Sequence, residues 1–357
     1  MPEKKEVINK KIGYFLSKRL DYPFTSPANV TLTLNYVCNQ NCLMCDIKKH
    51  KFDKEYEITG KEIKSIIDEM VELGIPELVL TGGEPFLHKD IFEVIEYAKS
   101  RNRIVVMITN GFYGDDILSK VIASKADHYQ ISLDGSTKEI YDLVRGVPGS
   151  FDIVISNIKK LVKSGKNVGV TATIVGQNYR DLLNIAKFAQ GLGCSRLALR
   201  PAHSTNADPL SKSFFAEPFW IPQQELGILK EVIDELKEFN AATNYIDFVP
   251  GLDLLYDYFK YGYIPHLNSC YIGFTRLIIS YNEKSSYEVW MCGGMAGDIR
   301  KERLRDIWYG KKARCLRKQA RKCKQSCLFP EIHEPDLKSI FTLSKAIYRL
   351  QSRSVIK

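Results

Sequence analysis

Between residues 29 and 200 the chain alternates short apolar runs with longer amphipathic stretches. The runs 30–37, 77–80, 104–109, 128–133, 168–174 and 196–199 are rich in Val, Ile, Leu or Thr and are bounded by Gly, Asn, Asp or Pro, which predicts six strands. Between them the pattern predicts helices over 59–73, 90–100, 115–126, 151–163 and 179–191. In the first, Ile63, Ile66, Ile67, Met70 and Val71 share one face, with Thr59 placed to cap and Gly74 to stop it. Strands alternating with helices imply right-handed parallel β/α units. Six units suit a partial barrel or an open doubly wound sheet, and in both a ligand sits at the carboxyl ends of the strands.

The unusual residues fall at those ends. A cysteine loop follows the first strand, Thr81-Gly82-Gly83-Glu84-Pro85 the second, Asn110-Gly111 the third and Asp134-Gly135 the fourth. One site is implied. After Pro201 the pattern gives way to a loop and then a helix over about 223–239. The expected organisation is an N-terminal extension (1–28), the β/α domain (29–205), a bridging helical segment (206–264), a small cysteine-rich module (265–330) and a basic C-terminal helix (331–357). Packing on the domain surface is the plain expectation for that last helix; peripheral membrane contact is the sharper alternative.

Composition narrows the class. The chain has 45% hydrophobic and 26% charged residues and no apolar stretch long enough to cross a bilayer, as in an ordinary water-soluble protein. Its charged start, Met1-Pro-Glu-Lys-Lys-Glu, leads into no secretory apolar core, so a cytoplasmic location is expected. The net charge of +9 is concentrated: twelve basic residues and two acidic ones lie between Arg300 and Lys324. A solvated helix face, or a docking surface for an acidic electron donor or an anionic substrate, accounts for it. No stacking aromatics or recognition motif accompany the charge, which argues against nucleic acid.

In a reducing cytosol nine cysteines read as metal ligands or reactive thiols rather than as a disulfide framework. Cys38, Cys42 and Cys45 are spaced so that one short loop can wrap a single cluster, and thiolates at this density favour zinc or iron-sulfur. A structural zinc site needs a fourth ligand, and His50, the nearby candidate, lies outside the familiar spacings. A four-iron cube held by three cysteines keeps one iron open to a ligand.

These three cysteines, with Gly82-Gly83-Glu84-Pro85 at the end of the next strand, resemble the signature of the radical S-adenosylmethionine (SAM) superfamily. The resemblance implies an α/β fold, a partial (β/α)6 TIM-like barrel. It also implies a [4Fe-4S] cluster on Cys38, Cys42 and Cys45 whose open iron is chelated by SAM. By the same resemblance Gly82, Gly83 and Glu84 bind the cofactor, Gly83 and Glu84 contacting the methionine amino group, while Ser132 and Asp134 contact the ribose and Arg145 the methionine carboxylate, with Asn110 a further cofactor contact. A strand-ending turn for Ser132 and Asp134, and a surface salt bridge for Arg145, are the structural alternatives. Met44 stands where many relatives have an aromatic residue near the adenine. The implied chemistry is reductive cleavage of SAM to a 5′-deoxyadenosyl radical that abstracts hydrogen from a small molecule, peptide or lipid. A low-potential donor such as a flavodoxin or ferredoxin would supply the electron. No acid-base catalytic residue is assigned.

Cys270, Cys292, Cys323 and Cys327 are grouped as ligands of a second centre. With the segments 292–300 and 304–308 they resemble the SPASM and shorter twitch modules of one branch of the superfamily, which implies one auxiliary [4Fe-4S] cluster, zinc being the other candidate occupant. Cys315 is expected to be free or to replace one of the four, and Cys194 to be a buried apolar thiol. The competing reading is a zinc-stabilised, non-catalytic binding protein with a basic docking face.

Overall fold

The computed structural model describes residues 4–47, 52–202, 217–248, 251–262, 271–282, 286–291 and 294–322. Its described strands form one sheet, six of them close to the positions that the apolar runs predict. These are β1 (Asn29–Thr33), β2 (Glu77–Thr81), β3 (Ile104–Thr109), β4 (His128–Ser132), β5 (Val168–Ile174) and β6 (Leu197–Pro201). They lie in chain order and pair in parallel. A right-handed crossover that always steps to the next strand in the same direction keeps its helices on one face. From β1 to β6 the order does not reverse, so these six units do not adopt the doubly wound alternative.

Burial along the strands agrees. Leu78, Leu80, Val105, Met107, Tyr129, Ile131, Val170 and Ala172 are fully buried, while Thr81, Ile108, Ser132, Thr171 and Thr173, pointing the other way, stay partly open. The open face leads to the strand ends that carry the cysteine loop.

The predicted helices are present as α2 (Gly60–Leu73), α3 (Ile91–Ser100), α4 (Asp115–Ala123), α6 (Ser150–Lys163), α7 (Leu182–Gly191) and α8 (Leu226–Thr243). The capping reading of α2 holds in detail. Thr59 Oγ1 accepts from the Glu62 amide, the Glu62 carboxylate accepts from the Thr59 amide, and Gly74 ends the helix in a left-handed conformation, φ 69°. Two further helices lie in segments for which the pattern predicts none, α1 (Lys4–Leu20) and α5 (Lys138–Arg145). The second is a short helix that buries only Tyr141, Val144 and Arg145.

The sheet extends beyond the six units on both sides. β7 (Ile246–Asp247) adds in parallel to β6, after which comes α9 (Asp253–Tyr261). After α10 (Ile272–Thr275), β8 (Arg276–Asn282) pairs in parallel with β1, and β9 (Ser286–Met291) and β10 (Gly294–Asp298) continue antiparallel. Residues on both sides of the expected 264/265 boundary thus share one sheet. Leu277, Ile279, Tyr287, Val289, Ile307 and Trp308 also share one core with the β/α units. α11 (Leu304–Tyr309) and the basic α12 (Lys311–Lys322) close this end. Arg317 of α12 is buried, donating to the carbonyls of Gly273 at 3.0 Å and Trp308 at 2.8 Å, with its guanidinium 4.1 Å from the Trp308 ring centroid. Burial lowers its pKa to about 10. Among the described residues no helix is long and apolar enough to cross a membrane.

Candidate cluster site

The cysteine loop runs on directly from β1 and is held on two sides by backbone contacts. On one side the chain from Leu34 to Val37 stays beside the Gly-Gly loop: Leu34 N–H donates to Thr81 O, Gly83 N–H to Asn35 O and Glu84 N–H to Val37 O, each at 2.8 Å. That is why the apolar run reaches residue 37 although the regular strand ends at Thr33. A β-carbon at Gly83 would lie 2.1 Å from Val37 O, so only glycine permits the approach. The glycine there admits the cysteine loop itself.

On the other side the C-terminal end of α5 meets the loop. Asn41 N–H donates to Arg145 O at 3.1 Å and Leu43 N–H to Val144 O at 2.9 Å. Gly146 ends α5 with φ 67°, and a β-carbon there would stand 2.0 Å from Asn41 O. The later strands brace the loop from behind: Tyr287 OH donates to Leu34 O at 2.8 Å and Tyr36 OH to Tyr281 O at 3.0 Å.

The three thiols of this loop are unpaired, Cys38 and Cys42 partly buried and Cys45 exposed. Burial pushes the Cys42 thiol up to about 11, against the pull of the Arg145 cation. Two donors converge on the Cys38 sulfur, the Gln40 amide at 3.5 Å and the Asn110 side-chain amide at 3.7 Å. Gln40 is itself buried, and its side chain lies beside the buried Tyr141 hydroxyl. Among the described residues no three His, Cys, Asp or Glu side chains are gathered tightly enough to hold a single metal ion.

The remaining predicted residues fall around this loop, several of them bonded to one another. Glu84 is fully buried; its carboxylate accepts from the Thr109 hydroxyl at 2.7 Å and from the amides of Asn110 and Phe86 at 2.8 and 3.1 Å. Burial raises its pKa to about 7 despite those donors. The carboxylate therefore ties the loop after β2 to the end of β3. Asp134 and Arg145 pair with each other at 2.9 Å, both buried. Asp134 also accepts from the Thr173 amide at 2.6 Å, and Arg145 donates to Gln40 Oε1 at 2.8 Å. Burial works against the Arg145 charge, yet Cys42 and Asp134 hold its pKa above the ordinary value. Ser132, in register with Thr171, is partly open on the same side of the sheet as Gln130. Met44 packs partly buried against the main core.

Asn35, Asn39, Gln40 and Thr109 also organise the site and carry no sequence-based assignment. Their signal is positional: Asn39 and Gln40 lie between two of the cysteines, Asn35 interrupts the first apolar run and Thr109 ends the third. Cys194 is buried as expected and Cys315 is exposed on α12. Cys270, Cys292, Cys323 and Cys327 lie outside the described residues, as does the tail 331–357.

A mostly parallel α/β sheet with three free thiols in the loop after its first strand defines the class. Residues 32–189 match the family model of the radical SAM superfamily, and that match together with the enzyme-named relatives supports an enzyme. It is 27% identical to the AdoMet-dependent heme synthase of Methanosarcina barkeri, over 79% of this chain and 82% of that protein. It is 30% identical to the mycofactocin maturase MftC of Mycobacterium tuberculosis, over 50% of this chain and only 46% of that protein. Among solved structures it resembles Streptococcus suis SuiB bound to S-adenosylmethionine, with a TM-score of 0.64 and 15% identity over 83% of this chain and 68% of SuiB. At that identity the likeness is one of fold. Together these likenesses do not favour the zinc-stabilised binding protein.

Proposed function

We propose that Cys38, Cys42 and Cys45 hold a [4Fe-4S] cluster at which SAM is cleaved reductively, and that the open face of the sheet receives the substrate. One observation carries this reading: three free thiols sit in a loop clamped by the Gly82-Gly83-Glu84 backbone on one side and by α5 on the other. The donor set fits the cluster, because both N–H groups that reach Cys38 favour a thiolate over a thiol. When bound, the cluster and SAM supply a 5′-deoxyadenosyl radical for hydrogen abstraction.

The chain's own residues hold and enclose this centre. Gly82, Gly83 and Ser132, each partly buried at a strand end, are the groups that would lie beside SAM. Glu84, Asp134 and Arg145 fix the loops that carry the ligands, and so act on SAM through position. Thr81, Thr171, Thr173 and Gln130 with Ile108 give the open face hydroxyl and amide groups beside an apolar one, as needed to orient a substrate C–H bond while limiting water. A further [4Fe-4S] cluster on Cys270, Cys292, Cys323 and Cys327 belongs to the same reading. It is supported by the packing of α12, which ends just before Cys323, against β10 and α10, which begin just after Cys292 and Cys270. A flavodoxin- or ferredoxin-like donor would supply the electron.

Anaerobic reconstitution tests the proposal. It should give roughly eight irons per chain, from two four-iron clusters, and 5′-deoxyadenosine when dithionite and SAM are added. Cys42→Ala should abolish that product and keep about half of the iron. Zinc without iron, or undiminished cleavage in the variant, would remove the reading.

A further inference from the structure

Asn110 is joined to the cysteine loop through its side-chain amide nitrogen and to the Gly-Gly loop through its backbone N–H. Its Oδ1 accepts from the Phe112 amide at 2.7 Å, and its backbone N–H donates to Glu84 Oε2 at 2.8 Å. Its Nδ2 donates to Asn39 Oδ1 at 2.7 Å and approaches Cys38 Sγ at 3.7 Å. The Asn39 amide in turn donates to Phe112 O at 2.6 Å. The side chain is only 3% exposed, so no rotation to solvent competes with this arrangement. A primary amide has two N–H donors, and here one is occupied by Asn39 and the other is directed to sulfur.

We propose that Asn110 is a positioning residue that tunes the SAM-cleaving cluster by donating an N–H···S hydrogen bond to the Cys38 thiolate, in place of a direct contact with SAM. The inference rests on the assignment of Cys38 as a cluster ligand and adds what sets that cluster's potential. Reduction adds negative charge to the cube and its sulfurs, so a donor at Cys38 stabilises the reduced form and raises the potential. The Gln40 amide supplies a second, backbone donor to the same sulfur that no substitution other than proline removes. The Asn110 bond is therefore the part of the pair that mutation can vary. Asn39 acts one step further out, by holding the Asn110 amide plane.

The test is a redox titration of the reconstituted full-length protein, followed by the electron paramagnetic resonance signal that changes on adding SAM. Asn110→Asp keeps the shape and removes the donor, and Asn110→Ala removes the group. In both, the ratio of reduced to oxidised cluster at a fixed poise should fall about three- to tenfold, tenfold corresponding to ~59 mV for a one-electron couple. Asn39→Ala should give a smaller shift in the same direction. Variants that keep the cluster at the wild-type potential overturn the proposal and leave the cluster assignment intact. Loss of the cluster from both Asn110 variants, with iron retained in the wild type, also overturns it by making Asn110 a folding residue. A wild-type protein with no SAM-sensitive cluster would sink the underlying reading as well.

Discussion

The Arg145 guanidinium donates to Asp134 Oδ2 at 2.9 Å inside the protein, so two residues that the resemblance assigns to different parts of SAM are bound to each other. The pair joins the C-terminal end of α5 to the end of β4, and through Gln40 it reaches the cysteine loop. A buried ion pair contributes little over an apolar pair of the same shape, but breaking one by removing a single partner is costly. Arg145→Met should therefore destabilise the protein by about 3–5 kcal/mol, because Asp134 is left buried and uncompensated. Adding Asp134→Leu should recover a large part of that loss in denaturant unfolding. An equal loss in the single and double variants would show that Arg145 acts through Gln40 and not through Asp134.

Gly83 and Gly227 give a matched pair of substitutions with opposite expected signs. A β-carbon at Gly83 falls 2.1 Å from Val37 O, a backbone atom that cannot move without displacing the cysteine loop, whereas one at Gly227, within α8, meets nothing within 4 Å. Gly83→Ala should cost about 1–3 kcal/mol or more, as overpacking against a rigid neighbour does, and the iron bound after reconstitution should fall with it. Gly227→Ala should instead stabilise the chain by about 0.5–1 kcal/mol, the helix preference for alanine over glycine. Melting temperatures of the two variants, with iron content for the first, decide the matter; full iron in Gly83→Ala would mean that the two loops are less tightly joined than the geometry requires.

Much of this architecture was legible because apolar runs and helical faces are local signals. The six parallel strands follow the runs to within a few residues, and the Thr59 cap and Gly74 stop of α2 follow from side chains that bond within their own turn. The return of β8 to pair with β1 was not legible, since Arg276–Asn282 finds its partner almost 250 residues away and nothing local marks the choice. α5 escapes the pattern because a helix of eight residues presents too few apolar positions to establish a period. Within the site the residue types were visible, but their partners were not. Asp134, Arg145 and Glu84 look from the sequence like groups available to a charged ligand, and burial commits them to Thr173, Gln40, Thr109 and one another.

Glu84 should make stability depend on pH near neutrality. Burial raises its folded-state pKa from 4.5 to about 7, outweighing the donors Asn110, Thr109 and Phe86. Between those two values the folded chain keeps a proton that the unfolded chain has released. Its contribution is thus fully present below the unfolded pKa and is lost as pH rises through the folded one. From pH 6 to pH 8 the wild type should lose about 1.4 kcal/mol relative to Glu84→Gln, which has the same shape and no titration there. Urea unfolding of the two metal-free proteins at pH 6, 7 and 8 measures this difference directly, and parallel dependences would mean that Glu84 stays ionised, held by its three donors. The sign bears on the site, because the Glu84 Oε2 that accepts from the Asn110 amide lies on the path from the Gly-Gly loop to Cys38. A proton on the other oxygen, Oε1, would have to point at the Thr109 hydroxyl, which would then turn from donor to acceptor. The Asn110 contact survives that exchange, so the anchoring of Asn110 should persist on both sides of pH 7 while the stability changes.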